Sequence, residues 1–408
     1  MTALLARTRR LDADVDLLGF AGRDGVLFER GRSGLAGRGC ATRLPWPGGD
    51  PTAAARSVAE ALARIEVDDE VKLPGCGPVA FGALPFSPGA ASELVVPAVV
   101  AGRADDGTRW ITTIGDPAPG AGHPDLEAEV EPLAAARRFT VTPQRDPEDW
   151  CALVERATKA VAGGTLHKVV LARQIDIAAD QAIDRLAVLE RLRSAYPGCH
   201  IVSVAGFVAA SPELLVSVAG DIVRSHPMAG TAPRGGDPTT DQRLAASLLA
   251  STKDRQEHQI TIDMVHDTLL PWCSYLDYEA EPSVVAVANV QHLATMVEGR
   301  LSQPAPSVLE LVAALHPTPA VAGWPRDDAV AWIAEHEGFD RRRYAGTAGW
   351  VDSAGNGTWA VSVRCAEIEG PAALVWAGNG IVADSDPSTE LAETRSKLQA
   401  LLSAIVRP

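Results

Sequence analysis

The chain has 408 residues, 46% of them apolar and 22% charged, which is the balance of an ordinary globular protein. Its formal net charge of −15 argues against a general affinity for nucleic acid or for an anionic membrane surface. The six cysteines are scattered and include no C-x-x-C pair, which argues against a disulfide framework and against a zinc site. An acidic protein that binds an anion needs a local cation, so a metal site or a focused arginine is expected.

The start of the chain does not have the pattern of a secretory leader, because Arg7, Arg9 and Arg10 follow only a very short apolar stretch. No apolar run approaches the roughly 18 residues that a membrane-spanning helix needs. We therefore expect a cytoplasmic protein without a membrane segment.

Residues 1 to about 140 alternate short strand-like runs with glycine and proline turns, as at residues 95–100 and 109–114. One helix is predicted over residues 52–65. This third of the chain carries few motifs.

The pattern becomes clearer from Asp146, which with Pro147 predicts the start of a helix that ends at residues 163–164. The predicted strands after it cover residues 166–177, 201–208, 214–218, 283–290, 358–366 and 373–376, and the predicted helices cover residues 241–270, 307–315, 326–336 and 387–405. Because the strands outnumber the helices and do not alternate regularly with them, the pattern indicates an α+β fold rather than a doubly wound parallel sheet.

Lys168 is unusual because it lies in an apolar strand, on the face that it shares with Val170 and Ala172. A buried ammonium is costly, so its pKa should fall toward neutrality unless a carboxylate partners it. A lysine of this kind is a candidate general base. The alternative is a lysine of an edge strand that faces solvent.

Glu213 follows Pro212 at the start of a short apolar strand. A carboxyl in apolar surroundings has a raised pKa and can hold a proton for a leaving group, which makes it a candidate general acid. The alternative is a glutamate that faces solvent at the beginning of the strand.

Two predicted helices each carry a pair of acids three residues apart, which places both acids on one side of the helix. The pairs are Asp254 with Glu257 and Glu390 with Glu393. If the two helices meet, their oxygen donors suit Mg²⁺, which takes one or two carboxylates together with waters and substrate oxygens. Acids in the first turns also complement the helix dipole, and that remains the alternative.

Weaker signals surround these candidates. Arg364 lies among apolar neighbours in a predicted strand, where an arginine usually has an anion to bind. The segment AGNGI (residues 377–381) is predicted to be a turn whose amides could hold a carboxylate. Two loops, MAGTAPR and LHPTPAVAG, could line a pocket or be ordinary turns, and His292 taken alone fits a core histidine.

Taken together, these segments resemble the chorismate-utilising enzymes, which include the anthranilate, aminodeoxychorismate, isochorismate and salicylate synthases. The resemblance covers about residues 140–408, in the order LHKVVLAR, SPELL, MAGTAPR, KDRQEH, VQHLAT, LHPTPAVAG, RRYAGTAGW, SVRCAEI and AGNGIVADSDPSTELAETRSKL. The first third matches more loosely, as in GALPF. The resemblance implies one α+β domain over residues 1–408, with large antiparallel sheets packed as a sandwich and helices outside.

The resemblance also implies chorismate as the substrate and Mg²⁺ as the cofactor. Glu257 and Glu393 would bind the metal directly, and Asp254 and Glu390 would bind it through water or from the surrounding shell. The implied substrate contacts come from nine further residues: Arg364, Tyr344, Gly378 and Gly380 at the enolpyruvyl carboxylate, His292 beside the ring, and Gly230, Thr231, Ala320 and Val321 in the pocket wall. Asn379 stands where alanine is common in the family.

Water-using members of the family have a lysine where the amine-using members have glutamine, and here that position is Lys168. The resemblance therefore implies isochorismate formation, with Lys168 as the base for water at C2 and Glu213 as the acid for the C4 hydroxyl. The protein is expected to be a monomer and to have no glutaminase subunit. The product would feed a menaquinone, siderophore or salicylate route.

Two alternatives stay open at this point. A salicylate synthase would also eliminate pyruvate, but such members often carry a small hydroxyl residue before a small one where this chain has Ala320 and Val321. The second alternative is a chorismate-binding relative that has lost catalysis, against which the retained Lys168, Glu213 and helix acids argue.

Overall fold

The computed structural model describes residues 4–115, 133–287 and 290–407. Its helices are α1 (Leu17–Ala21), α2 (Pro51–Ala63), α3 (Pro147–Ala162), α4 (Arg185–Ala195), α5 (Pro238–Ala250), α6 (Thr252–Leu269), α7 (Val308–Leu315), α8 (Arg326–His336) and α9 (Pro387–Ile405). Its strands are β1 (Leu5–Arg10), β2 (Val26–Arg30), β3 (Ser33–Arg38), β4 (Thr42–Trp46), β5 (Glu66–Asp69), β6 (Val79–Leu84), β7 (Ser92–Val96), β8 (Val99–Arg103), β9 (Arg109–Gly115), β10 (Phe139–Pro143), β11 (Lys168–Ala179), β12 (His200–Val204), β13 (Phe207–Ser211), β14 (Leu214–Ala219), β15 (Ile222–His226), β16 (Met228–Pro233), β17 (Cys273–Tyr278), β18 (Ser283–Val287), β19 (Val290–Ala294), β20 (Val297–Leu301), β21 (Gly323–Trp324), β22 (Thr347–Asp352), β23 (Gly357–Val361), β24 (Cys365–Glu369) and β25 (Ala372–Ile381).

The strands form two large sheets and a small one. The 13-stranded sheet has the order β10-β11-β25-β24-β13-β12-β2-β3-β8-β9-β1-β5, with β21 beside β11. The 9-stranded sheet has the order β17-β20-β15-β14-β23-β22-β6-β7-β4, and the 3-stranded sheet has the order β16-β19-β18. Apart from β1 with β5, the strands of the described ranges pair antiparallel. Strands from the first third of the chain therefore continue both large sheets.

The two large sheets pack face to face around one apolar cluster. That cluster joins Phe28 and Phe207 of the first sheet to Phe81 and Trp359 of the second. A second cluster lies on the outer face of the first sheet, where α1, α4 and α9 bury residues such as Leu401. This arrangement confirms the expected α+β sandwich with helices outside.

Several runs predicted as single strands contain the end of one strand and the start of the next. Residues 201–208 fold back at Ala205 and Gly206, both of which have positive φ. The predicted run at 95–100 breaks at Pro97, which cannot donate to the ladder. The runs at 283–290 and 358–366 likewise span the ends of two strands. In the runs at 201–208 and 358–366 the apolar pattern continues past the end of the first strand, because most residues of both strands are buried.

The helix predicted over residues 241–270 is also two helices, because it breaks at Ser251. The Ser251 side chain accepts a hydrogen bond from the Asp254 amide at 3.2 Å and begins α6. Asp386 begins α9 in the same way, with the Thr389 amide at 2.8 Å. Asp146 precedes α3 as expected, but its side chain makes no capping hydrogen bond. Both acid-bearing helices thus start at capped residues.

Within the part of the chain that the structure describes, no helix is long and apolar enough to cross a membrane.

Candidate active site

One cavity of about 270 Å³ gathers every side chain and glycine singled out from the sequence. Its lining includes Lys168, Glu213, Gly230, Thr231, Asp254, Glu257, His292, Ala320, Val321, Tyr344, Arg364, Gly378, Gly380, Glu390 and Glu393. These residues come from β11, β16, β19 and β25, from the loops around them, and from the first turns of α6 and α9. The structure therefore brings together segments that lie more than 200 residues apart in the chain.

Lys168 begins β11 and is 5% exposed, so the alternative of a lysine that faces solvent is wrong. Its Nζ donates to Glu257 Oε1 at 2.6 Å. This carboxylate gives the buried amine a hydrogen-bond partner. Burial opposes ionisation of Glu257, but Lys168, with smaller contributions from Lys397 and Lys253, lowers the pKa of that carboxyl below its usual value.

Glu213 lies between β13 and β14 and is 6% exposed, so the solvent-facing alternative is wrong here too. Burial raises its pKa to about 7, against the smaller effect of the Met228 amide. That amide donates to Glu213 Oε1 at 3.4 Å. The carboxyl therefore holds its proton over a range of pH in which an ordinary glutamate has lost it.

In the cavity wall, the Arg364 guanidinium donates a hydrogen bond to the neutral imidazole of His292. Arg364 Nη2 donates to His292 Nε2 at 2.9 Å, and burial lowers the pKa of His292 well below its usual range. An arginine cannot accept a hydrogen bond, so the imidazole proton lies on Nδ1, 3.2 Å from the oxygen of Gly230 and from Thr231 Oγ1. Among the described residues, Arg364 Nη1 has no hydrogen-bond partner although it is buried. A buried guanidinium with a free donor suits an anion.

The AGNGI segment is not the turn that was predicted, because it lies inside β25. Gly378 pairs with Ala172 and Gly380 with Val170 across the ladder to β11. A Cβ at Gly380 would lie 2.4 Å from Lys168 Cε, and one at Gly378 would lie 2.6 Å from the Tyr344 hydroxyl. The two glycines therefore leave the space that these side chains occupy.

The four acids of α6 and α9 line the cavity, and they differ in their hydrogen-bond and ion-pair partners. Glu393 pairs with Lys397 at 2.7 Å, and Glu390 accepts a hydrogen bond from the Asn379 amide at 2.9 Å. Burial raises the pKa of Glu390. In the ranges that the structure describes, no three His, Cys, Asp or Glu side chains already form a metal-binding cluster. Mg²⁺ needs only one or two carboxylates together with water and substrate oxygens, so this all-carboxylate donor set fits it.

Two lysines of the cavity were not singled out from the sequence. Lys397 donates to the Gly378 oxygen, to Asn379 Oδ1 and to Glu393, and it lies one turn after Glu393 on α9. That spacing of four residues was a usable signal. Lys253 lines the cavity and pairs with Asp384 at 2.8 Å, and its sequence neighbourhood gave no such signal.

The chain belongs to the chorismate binding enzyme family, because the model of that family matches residues 122–406. It is 37% identical over 361 residues to isochorismate synthase DhbC of Bacillus subtilis, an alignment that covers 85% of this chain and 84% of that protein. It is 37% identical over 339 residues to isochorismate synthase EntC of Escherichia coli, which covers 80% of each.

The fold agrees with that of a solved relative. The structure of MenF, the menaquinone-specific isochorismate synthase from Escherichia coli, superimposes with a TM-score of 0.81 at 24% identity and covers 99% of this chain and 95% of that one. The fold of this chain is therefore that of the family over nearly its whole length.

Proposed function

We propose that this protein is an isochorismate synthase, which converts chorismate to isochorismate. The observation that carries the proposal is a buried lysine and a buried glutamate with a pKa raised to about 7, both in the wall of one cavity that also contains a guanidinium and four further carboxylates. The relatives described above, which bear this name and align with most of the chain, support the assignment.

Glu213 is the proposed general acid. With a pKa of about 7 it holds a proton near neutral pH, and that proton leaves with the C4 hydroxyl as water. A glutamate with the ordinary pKa of about 4.3 would be protonated in only roughly one molecule in 500 at pH 7. Burial of Glu213 therefore supplies the acid form that the reaction needs.

Lys168 is the proposed general base. It takes a proton from the water whose oxygen bonds to C2, while the ring double bonds shift and the bond from C4 to its hydroxyl breaks. Its Nζ is held in the cavity wall by the contact with Glu257 Oε1 at 2.6 Å. Glu257 would therefore both position the Lys168 amine and bind the proposed metal.

Mg²⁺ is the proposed cofactor, and bound there it would neutralise the ring carboxylate of the substrate. Glu257 and Glu393 would bind the ion directly, with Asp254 and Glu390 around them. All four lie in the first two turns of α6 or α9.

The remaining residues bind and orient the substrate in this proposal. Arg364 offers its unpaired Nη1 to the enolpyruvyl carboxylate, with the Tyr344 hydroxyl and the backbone at Gly378 and Gly380 beside it. His292 is neutral and contacts the ring. Gly230, Thr231, Ala320 and Val321 complete the wall.

The test is chromatographic analysis of the products that purified protein forms from chorismate, with and without Mg²⁺. We expect isochorismate only when Mg²⁺ is present, and no accumulation of salicylate or pyruvate. Salicylate that appears in step with the loss of chorismate would make the protein a salicylate synthase. Absence of any turnover would favour a catalytically inactive relative. The cytoplasmic location, the monomeric state and the lack of a glutaminase subunit remain predictions, of which size-exclusion chromatography checks the second.

A further inference from the structure

A buried ion pair lies directly behind the cavity wall. Arg341 is 2% exposed and Glu337 is 1% exposed. Arg341 Nε donates to Glu337 Oε2 at 2.6 Å, and Arg341 Nη2 donates to Glu337 Oε1 at 2.7 Å. Two parallel bonds between a guanidinium and a carboxylate fix the orientation of both groups. Neither residue lines the cavity, and the proposed reaction uses neither.

The pair holds two segments of the wall by their backbone. Arg341 Nη1 donates to the Val321 oxygen at 3.0 Å, and Arg341 Nη2 donates to the Val170 oxygen at 2.7 Å. Glu337 Oε1 accepts a hydrogen bond from the Ala172 amide at 2.7 Å. Val170 and Val321 both line the cavity. This guanidinium therefore adds two hydrogen bonds to the ladder between β11 and β21, and it ties the loop that carries Ala320 and Val321 to the strand that carries Lys168.

The same guanidinium reaches the loosely matching first third of the chain. It lies 4.4 Å from the centre of the Phe86 ring, a cation–π contact. The Phe86 amide donates to the Arg342 oxygen at 2.8 Å. Phe86 ends the GALPF segment, so this segment supports the wall from behind without touching the substrate cavity.

We propose that Arg341 and Glu337 are positioning residues that keep Lys168 and Val321 at a fixed separation across the substrate ring. Because Arg341 bonds to Glu337 and to two backbone carbonyls at once, a displacement of β11 relative to the loop at Val321 would break several hydrogen bonds together. The family resemblance places the difference between isochorismate formation and pyruvate elimination at Ala320 and Val321. Through its hydrogen bond to Val321, the ion pair of Arg341 and Glu337 thus controls both substrate affinity and the exclusion of pyruvate elimination. This inference rests on the proposed function.

The chain offers a matched control in Arg343, two residues further on. Arg343 pairs with Glu367 at 2.9 Å, donates to the oxygens of Val204 and Ala205 at 3.2 Å, and lies 5.4 Å from the Phe207 ring centre. It therefore has the same kinds of contact as Arg341, but none of its partners lines the cavity.

The experiment compares the wild type, Arg341→Lys and Arg343→Lys by kcat, by KM for chorismate, by pyruvate released per isochorismate formed, and by melting temperature. We expect Arg341→Lys to raise KM about fivefold or more and to raise the pyruvate ratio, because a small displacement of the wall changes how the ring is held. Arg343→Lys should leave KM and the ratio at wild-type values even if its melting temperature falls.

A purely structural role predicts another result, in which Arg341→Lys lowers the amount of active enzyme but keeps the wild-type KM and product ratio, and that result would overturn the inference. The product ratio does not depend on how much protein is folded, so a poorly folding variant still gives an answer. Glu337→Gln, which removes the charge but keeps the shape, should change the ratio in the same direction as Arg341→Lys. If the wild type forms no isochorismate, the proposed function fails first and is recognised before any variant is compared.

Discussion

Glu213 and Glu257 lie in two parts of the same cavity, and their carboxyls have opposite pKa shifts. Both are largely shielded from water, with 6% of Glu213 and 19% of the Glu257 side chain exposed. Glu257 Oε1 lies 2.6 Å from Lys168 Nζ, whereas the Glu213 carboxyl accepts a hydrogen bond from the uncharged Met228 amide at 3.4 Å. Burial raises the pKa of Glu213 to about 7, and the lysine lowers that of Glu257 despite burial. The charge nearest to each carboxyl, rather than burial alone, decides which of the two glutamates has the raised pKa and which has the lowered one.

The largest expected effect comes from removing the Lys168 amine, whose contact with Glu257 makes the two glutamates differ. Lys168→Ala should lower kcat/KM by about 10²–10⁴-fold, the usual contribution of a general base. Lys159→Ala is the control, because Lys159 is exposed on α3 and outside the cavity. Steady-state kinetics on folded protein measure the effect, and a Lys168→Ala rate equal to that of the control would mean that another group is the base.

A displaced amine should act almost as strongly as a missing one. Gly380→Ala places a Cβ 2.4 Å from Lys168 Cε, and the flexible lysine can move aside with little cost to the fold. We expect about a 10²-fold loss of kcat/KM, as for a catalytic group misplaced by about 1 Å, with a nearly unchanged melting temperature. Gly198→Ala, where a Cβ meets no atom within 4 Å, is the control. Equal activity of the two variants would contradict the tight fit of Gly380 to Lys168.

The carboxylates on α6 and α9 can be tested by measuring the affinity of the protein for Mg²⁺. Glu257→Gln and Glu393→Gln should each raise the Mg²⁺ concentration for half-maximal activity, and the dissociation constant from calorimetry, by about 10–100-fold. Glu298→Gln, at an exposed residue that pairs with Arg224, should change neither value. If the two cavity variants titrate like this control, the metal lies elsewhere.

The smallest effect is the one on pH dependence. Because burial raises the pKa of Glu213, its acid form is lost only as the pH passes about 7. We expect kcat/KM to fall toward about tenfold per pH unit above that value. Glu213→Gln should be slow and should lack this alkaline limb. An unchanged alkaline limb in Glu213→Gln would assign it to a different group.

The sequence predicted the fold class and the lining of the cavity better than it predicted the local connections. Each motif-bearing segment after residue 165 contributes to the cavity a polar, charged or small residue that lies in an apolar strand, in a loop or near the start of a helix. The hairpin at Ala205 and Gly206 was missed because the apolar pattern runs through the turn. Gly378 and Gly380 indicated a turn, but in β25 they make room for the side chains of facing residues. Close approach and chain reversal both favour glycine, so sequence alone does not separate them.

Arg341 and Glu337 were missed for a different reason. They lie four residues apart at the end of α8 and after it, a spacing that on a helix usually marks an exposed ion pair. What makes them special is burial against β11 and the loop at Val321, and that follows only from how distant segments pack. The pairing of Lys168 with Glu257, 89 residues apart, was likewise beyond any local pattern.

Both large sheets contain strands from the first third of the chain, and this determines what happens when that third is removed. In the 13-stranded sheet β12 adjoins β2, and in the 9-stranded sheet β22 adjoins β6. In a fragment that begins near residue 139, β12 and β22 would each become an edge strand with unpaired amides and carbonyls. Such edges favour pairing between molecules. Such a fragment would retain all the residues of the proposed chemistry, yet we expect it to precipitate.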